Sequence, residues 1–225
     1  MIKIKTVDLT KSYNVGSSEV VAVNKVNLEI NEPSFIAVIG PSGSGKSTLL
    51  NLIGLNDRPT SGKIYLDDVD VSEISENYRR KIRRERLGFI FQAFNLLPTL
   101  NALENVEVPL AFAGKTESEQ HKEAVALLKM VGLEKRIAHR PRQMSMGEMQ
   151  RVAIARALVA KPEMVIADEP TGELDSETGK EIVSLLARVN REMKTTLIVA
   201  THDEKVVKEA DRIYRIHDGR LSIRP

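Results

Sequence analysis

The chain has 225 residues, 42% hydrophobic and 28% charged, enough for one large α/β domain or a domain with a small lobe. Its 33 Lys and Arg against 31 Asp and Glu leave a net charge of +2, too balanced to make nucleic acid the main partner. Cysteine is absent, which excludes disulfides and thiolate metal sites and permits a reducing compartment such as the cytosol; no apolar run approaches the roughly 20 residues of a membrane helix.

Residues 2–9 and 26–30 alternate apolar and polar side chains, as half-buried antiparallel strands do. The same alternation over residues 1–5 argues for a strand rather than a signal peptide. Phe35-Ile36-Ala37-Val38-Ile39 does not alternate, and a continuous apolar run ending in glycine predicts a strand covered on both faces in a parallel sheet. Next comes Gly40-Pro41-Ser42-Gly43-Ser44-Gly45-Lys46-Ser47-Thr48, then an apolar helix over residues 49–53. The basic run Arg79-Arg80-Lys81-Ile82-Arg83-Arg84-Glu85-Arg86 is expected to be a solvated helix face leading into a strand over residues 87–91.

Helical spacing marks residues 119–130 and 147–160, and a helical lobe is expected at about residues 92–144, inserted into the core. Ser145 with Glu148 three residues on, before an apolar stretch, reads as a capping box. Met164-Val165-Ile166-Ala167 and Thr196-Leu197-Ile198-Val199-Ala200 repeat the buried-strand pattern, and residues 213–223 read as a hairpin turning at Asp218-Gly219.

Two of these segments carry chemistry. The residues from Gly40 to Thr48 match the P-loop: glycines let backbone N–H groups turn toward phosphates, the following helix adds its positive end, Lys46 reaches the β and γ phosphates, and the Ser47 hydroxyl serves Mg²⁺. A small-molecule kinase, a GTPase and a transporter ATPase all share that much. Asp168 and Glu169 follow the second buried run, so they should project from a strand's carboxyl end, where parallel sheets bind ligands.

With these in place, the chain resembles the nucleotide-binding subunits of ATP-binding cassette (ABC) transporters over nearly its whole length. Tyr13 stands where that family has an aromatic stacked on adenine. Gln92 stands at its Q-loop, Asp168-Glu169 at its Walker B acids, Gly172-Glu173-Leu174-Asp175 at its D-loop and His202 at its switch histidine. Ser145-Met146-Gly147-Glu148, after Met144, occupies the place of the Leu-Ser-Gly-Gly-Gln signature, with Met146 and Glu148 as departures from it.

The resemblance implies one ABC ATPase domain over residues 1–225: an α/β P-loop NTPase core with a mainly parallel sheet, an antiparallel β lobe and an inserted helical lobe. It implies ATP and Mg²⁺ as cofactors, with Lys46, Glu169 and His202 catalytic. Nucleotide would be held by Tyr13, the P-loop, Gln92, Ser145, Gly147 and Glu148, and metal by Ser47, Gln92 and Asp168. The implied partners are an integral membrane permease and a second copy, or a related ATPase, sandwiching two nucleotides; no nucleic acid is expected. The implied place is the cytoplasmic face of the membrane, with a permease helix received by residues 91–109. Within the family, Phe91-Gln92-Ala93-Phe94-Asn95-Leu96-Leu97-Pro98 and Asn101-Ala102-Leu103-Glu104-Asn105-Val106 resemble the lipoprotein-release and macrolide-export group. A regulatory ABC ATPase that signals to a membrane protein without transport is the alternative.

Overall fold

The computed structural model describes residues 2–223. Met1, Arg224 and Pro225, which the expected domain includes, lie outside the described residues. An antiparallel sheet comes first, from β1 (Ile4–Val15), β2 (Ser18–Ile30), β4 (Ser61–Leu66) and β5 (Val69–Asp70), in the order β2-β1-β4-β5. β1 and β2 run longer than the alternation suggests. Register shifts interrupt their pairing between Thr6 and Ser12, with Asp8 and Lys25 at positive φ, and toward the hairpin Val15, Val20 and Val21 are exposed. A bulge resets which side chains face inward, so the period-2 signal breaks there.

The second sheet has the order β10-β9-β3-β8-β7-β6, formed by β3 (Phe35–Ile39), β6 (Leu87–Ile90), β7 (Met164–Asp168), β8 (Thr196–Thr201), β9 (Arg212–His217) and β10 (Arg220–Ile223). All pairs are parallel except β9 with β10. The continuous apolar runs are explained by two cores. Phe35 and Ala37 of β3, Val165 and Ala167 of β7 and Leu197 and Val199 of β8 face one; Ile36 and Val38, Met164 and Ile166, and Ile198 and Ala200 face the other. The β9–β10 turn has Asp218 at φ 47 and Gly219 at φ 71, the two left-handed residues of a type I′ hairpin.

Helix α1 (Lys46–Ile53) packs on the face shared with the antiparallel sheet. Between β6 and β7 lie α3 (Ala102–Phe112), α4 (Glu117–Met130), a short 3₁₀ turn (Pro141–Gln143) and α5 (Met146–Leu158), which pack together on the opposite face. Capping boxes start α3 at Asn101 with Glu104, α4 at Thr116 with Glu119, and α5 at Ser145 with Glu148. α6 (Ser176–Met193) and α7 (Glu204–Glu209) flank β8 in the chain. Among the described residues no helix is long and apolar enough to cross a membrane.

The basic run forms the expected helix with a largely solvated face, and departs from that reading at Arg79. It forms α2 (Glu76–Arg86), but Arg79 is only 1% exposed. Its guanidinium donates to Leu55 O at 2.8 Å and to Asp57 O, and Arg83 donates to Leu55 O at 2.5 Å. The turn after α1 leaves carbonyls that need donors, and arginine has the reach and the fan of N–H groups to supply them. Arg80 and Arg84 do remain exposed. Arg79→Ala should therefore lower the unfolding free energy by about 2–4 kcal/mol in urea titrations; a change below about 0.5 kcal/mol would show that this contact contributes nothing.

Candidate functional site

The sheet order brings four carboxyl ends side by side. β3 runs into the P-loop, β8 into His202, β7 into Asp168 and Glu169, and β6 ends two residues before Gln92. Around them is a cavity of about 600 Å³ bounded by Ala22, Gln92, Glu169, His202 and all of the Gly40-to-Thr48 segment except Ser44, which is buried. The turn into α1 requires glycine: Gly45 sits at φ 106, and a Cβ there would fall 2.1 Å from Ala22 O. Lys46 Nζ donates to the loop's own carbonyls, Gly40 O at 2.8 Å and Pro41 O at 3.1 Å.

Asp168 and Glu169 are neighbours in sequence with different surroundings. Burial raises the Asp168 carboxyl above its ordinary pKa; the Ser47 hydroxyl opposes this, the Glu169 charge adds to it and Lys46 opposes it. Asp168 Oδ1 is buried without a hydrogen-bond partner. A partnerless buried carboxylate oxygen beside a Ser hydroxyl fits a Mg²⁺ site completed by nucleotide phosphates and water. Among the described residues there is no group of three or more His, Cys, Asp or Glu that could hold a metal ion. Glu169 takes φ 46. Its carboxylate accepts from Thr201 Oγ1 at 3.3 Å and lies 3.1 Å from His202 Nδ1, on a ring that is 78% exposed.

Gln92 lines the cavity but donates through Nε2 to Glu173 Oε1 at 2.8 Å. Tyr13 lies at the far end of β1, 39% exposed, and is not among the lining residues. Its hydroxyl donates to Asp57 Oδ2 at 2.8 Å, and Lys11 Nζ sits 4.9 Å from its ring centre. Lys11 also donates to Asp57 Oδ1 at 2.7 Å. This three-residue anchor had no local sequence signal, because Asp57 is 44 residues from Tyr13.

Ser145, Gly147 and Glu148 do not line the cavity of their own chain. Ser145 accepts from Glu148 N at 3.2 Å as the N-cap of α5, and Met146 is 53% exposed. Glu148 completes the expected capping box, accepting from Ser145 N at 2.8 Å, and it also accepts from Arg136 Nε at 2.8 Å. Those bonds, Ser145 N–H first and then Arg136, hold its carboxyl below the ordinary carboxylate range against some desolvation. Gly147 is fixed by packing, since a Cβ there would meet Thr178 Cγ2 of α6 at 2.5 Å.

Comparisons with known proteins bear on the family and the fold. Residues 23–172 match the family model described as ABC transporter. An ABC transporter ATP-binding protein of Methanocaldococcus jannaschii is 48% identical over 98% of this chain and 95% of its own length. The lipoprotein-releasing system ATP-binding protein LolD of Legionella pneumophila is 48% identical over 96% of this chain and 95% of its own. The macrolide export ATP-binding/permease protein MacB of Hyphomonas neptunium is 44% identical over 98% of this chain but only 34% of that longer protein. Among solved structures, a dimeric post-hydrolysis ATP-binding cassette bound to ADP and phosphate superposes with a TM-score of 0.90 at 45% identity, covering 97% of this chain and 96% of that one.

The tight approach of α5 to α6 is open to a direct check. Gly147→Ala should destabilise the fold by about 1–3 kcal/mol through overpacking, and Thr178→Ser, which removes the opposing methyl, should restore most of the loss in thermal melts. A Gly147→Ala chain that melts like wild type would overturn the packing argument.

Proposed function

The chain belongs to the ABC transporter family, and from that premise we propose how its cleft binds and hydrolyses MgATP to drive a membrane permease. It is an ATP-binding, ATP-hydrolysing subunit of that family, and its fold matches dimeric cassettes. The observation that carries the proposal is the convergence of the P-loop, Glu169 and His202 on one cavity at adjacent parallel strand ends, with Asp168 partly buried just behind it beside Ser47 and Lys46.

In this reading the backbone N–H groups of the loop and the start of α1 receive the phosphates, and Lys46 leaves the Gly40 and Pro41 carbonyls for the β and γ phosphates. Ser47, Asp168 and Gln92, the last released from Glu173, would hold Mg²⁺, which would supply positive charge to screen the phosphates. Glu169 orients or deprotonates the water for in-line attack, and His202, already beside that carboxylate, reaches the γ phosphate. Tyr13, anchored by Asp57 and Lys11, offers its ring to adenine. The products are ADP and phosphate.

Ser145 and Gly147 complete the nucleotide site of a second copy, which accounts for their distance from their own cavity. ATP favours the closed dimer and hydrolysis the open one, and that difference in affinity drives the partner's conformational cycle. The permease meets a groove of about 590 Å³ that includes Phe89, Phe91, Asn95, Val108, Pro109 and Phe112. Leu97, expected in that contact, is 45% exposed but is not a lining residue. Because this surface begins one residue from Gln92, the partner's state reaches the nucleotide site through it. The subunit sits peripherally on the cytoplasmic face of the membrane.

Three measurements test the proposal. Purified wild type should release phosphate from MgATP, while Glu169→Gln should turn over at least about a hundredfold more slowly and form an ATP-dependent dimer by light scattering; no turnover in wild type and no dimer in the variant would refute it. Met146→Gly in the Glu169→Gln chain should lower the protein concentration at which the ATP dimer forms, because the exposed Met146 side chain opposes close approach of phosphate; an unchanged concentration would clear Met146 of that role. Phe112→Asp should abolish stimulation of hydrolysis by the co-expressed permease and leave the basal rate intact, whereas a retained response would place the contact elsewhere.

A further inference from the structure

Gln150 is a polar side chain with 0% exposure, one turn into α5 from Ser145. Its Nε2 donates to Pro170 O at 2.7 Å, and its Oε1 is buried without a partner. An apolar residue would fill this place at lower cost, so the amide is held there for the one bond that it makes. That bond ends on the residue immediately after Glu169.

The peptide around Glu169 needs outside support. A non-glycine residue at φ 46 is in a sparsely populated conformation that persists only where its surroundings over-determine it. Two of the supports are main-chain bonds, Glu169 N to Ala200 O at 2.9 Å and Gly172 N to Glu169 O at 3.0 Å. The third is Gln150, and it comes from a different element. Thr171 is tied in turn to Asp203 Oδ2 at 3.0 Å, so the segment after Glu169 is held from the β8 side and from α5.

We propose that Gln150 is a positioning residue for Glu169, setting the direction of the carboxylate from α5 through the Pro170 carbonyl. The inference rests on Glu169 as the residue that handles the attacking water. It also gives α5 two ends with linked duties. The N-terminal Ser145 and Gly147 face a second copy's nucleotide, and Gln150 relays the placement of that same helix to the chain's own hydrolytic group.

The test uses the full chain and two variants. Gln150→Met keeps the length and volume and deletes the donor; Gln150→Glu keeps the outline and puts an acceptor in its place. Either folded variant should lose at least tenfold in kcat while the KM for ATP, the affinity for a fluorescent ATP analogue and the melting temperature hold close to wild type. Added to Glu169→Gln, the same change should cost no further activity, because the group that it positions is already gone. An unchanged kcat, an equal loss on top of Glu169→Gln, or failure of both variants to fold would overturn the proposal. Absence of turnover in wild type would instead refute the hydrolytic reading itself, before any variant is compared.

Discussion

β7 ends in two consecutive carboxylates that its backbone sends into different surroundings. Asp168 is the last strand residue and stays partly buried among Ser47, Lys46 and the sheet; Glu169 turns to φ 46 while its N–H still donates to Ala200 O. Without the turn, both side chains would continue the strand's alternation on opposite faces. With it, one acid lies against the P-loop and the other against Thr201 and His202, so a single bend in the backbone brings to one cleft the oxygen proposed to hold metal and the carboxylate proposed to handle water.

The rest of the architecture holds that bend in place. The two apolar cores clamp the central strands from both faces, which fixes where the strands stop. The segment after Glu169 is then gripped by side chains from three other places: Gln92 on Glu173, Gln150 on Pro170 and Asp203 on Thr171. In the proposed function each comes from a part of the chain that meets nucleotide, the permease or a second copy. A change at any of those surfaces reaches the hydrolytic carboxylate within a few bonds. This is a physical route for coupling that requires only short-range packing and hydrogen bonding.

Much of this was legible in the sequence, for identifiable reasons. Strands buried on both faces announce themselves as continuous apolar runs, and the P-loop and the Asp218-Gly219 turn are local patterns whose chemistry needs only adjacent residues. What escaped depends on distant pairs. Arg79 reads as one more exposed charge until the carbonyls of Leu55 and Asp57 are set beside it. Glu148 reads only as the acid of a capping box until Arg136 is brought to it. Gln150 has no sequence signal at all, since Pro170 is 20 residues away and offers only a backbone carbonyl. Of the expected site residues, the P-loop except Ser44, Gln92, Glu169 and His202 meet in one cavity, Ser44 is buried and Asp168 partly buried behind its wall, and Tyr13, Ser145, Gly147 and Glu148 lie outside it. Sequence order alone could not separate those groups.

In the proposed function the buried Asp168 oxygen and the Ser47 hydroxyl make this phosphate cradle a metal-dependent one. Titration calorimetry of ATP into the purified chain, in magnesium and in EDTA, with wild type beside Asp168→Asn, tests it most directly. The account predicts at least tenfold tighter binding with magnesium in wild type and loss of that dependence in Asp168→Asn, with the EDTA affinity unchanged. Equal affinities in magnesium and EDTA for wild type, or a magnesium effect that survives Asp168→Asn, would contradict it.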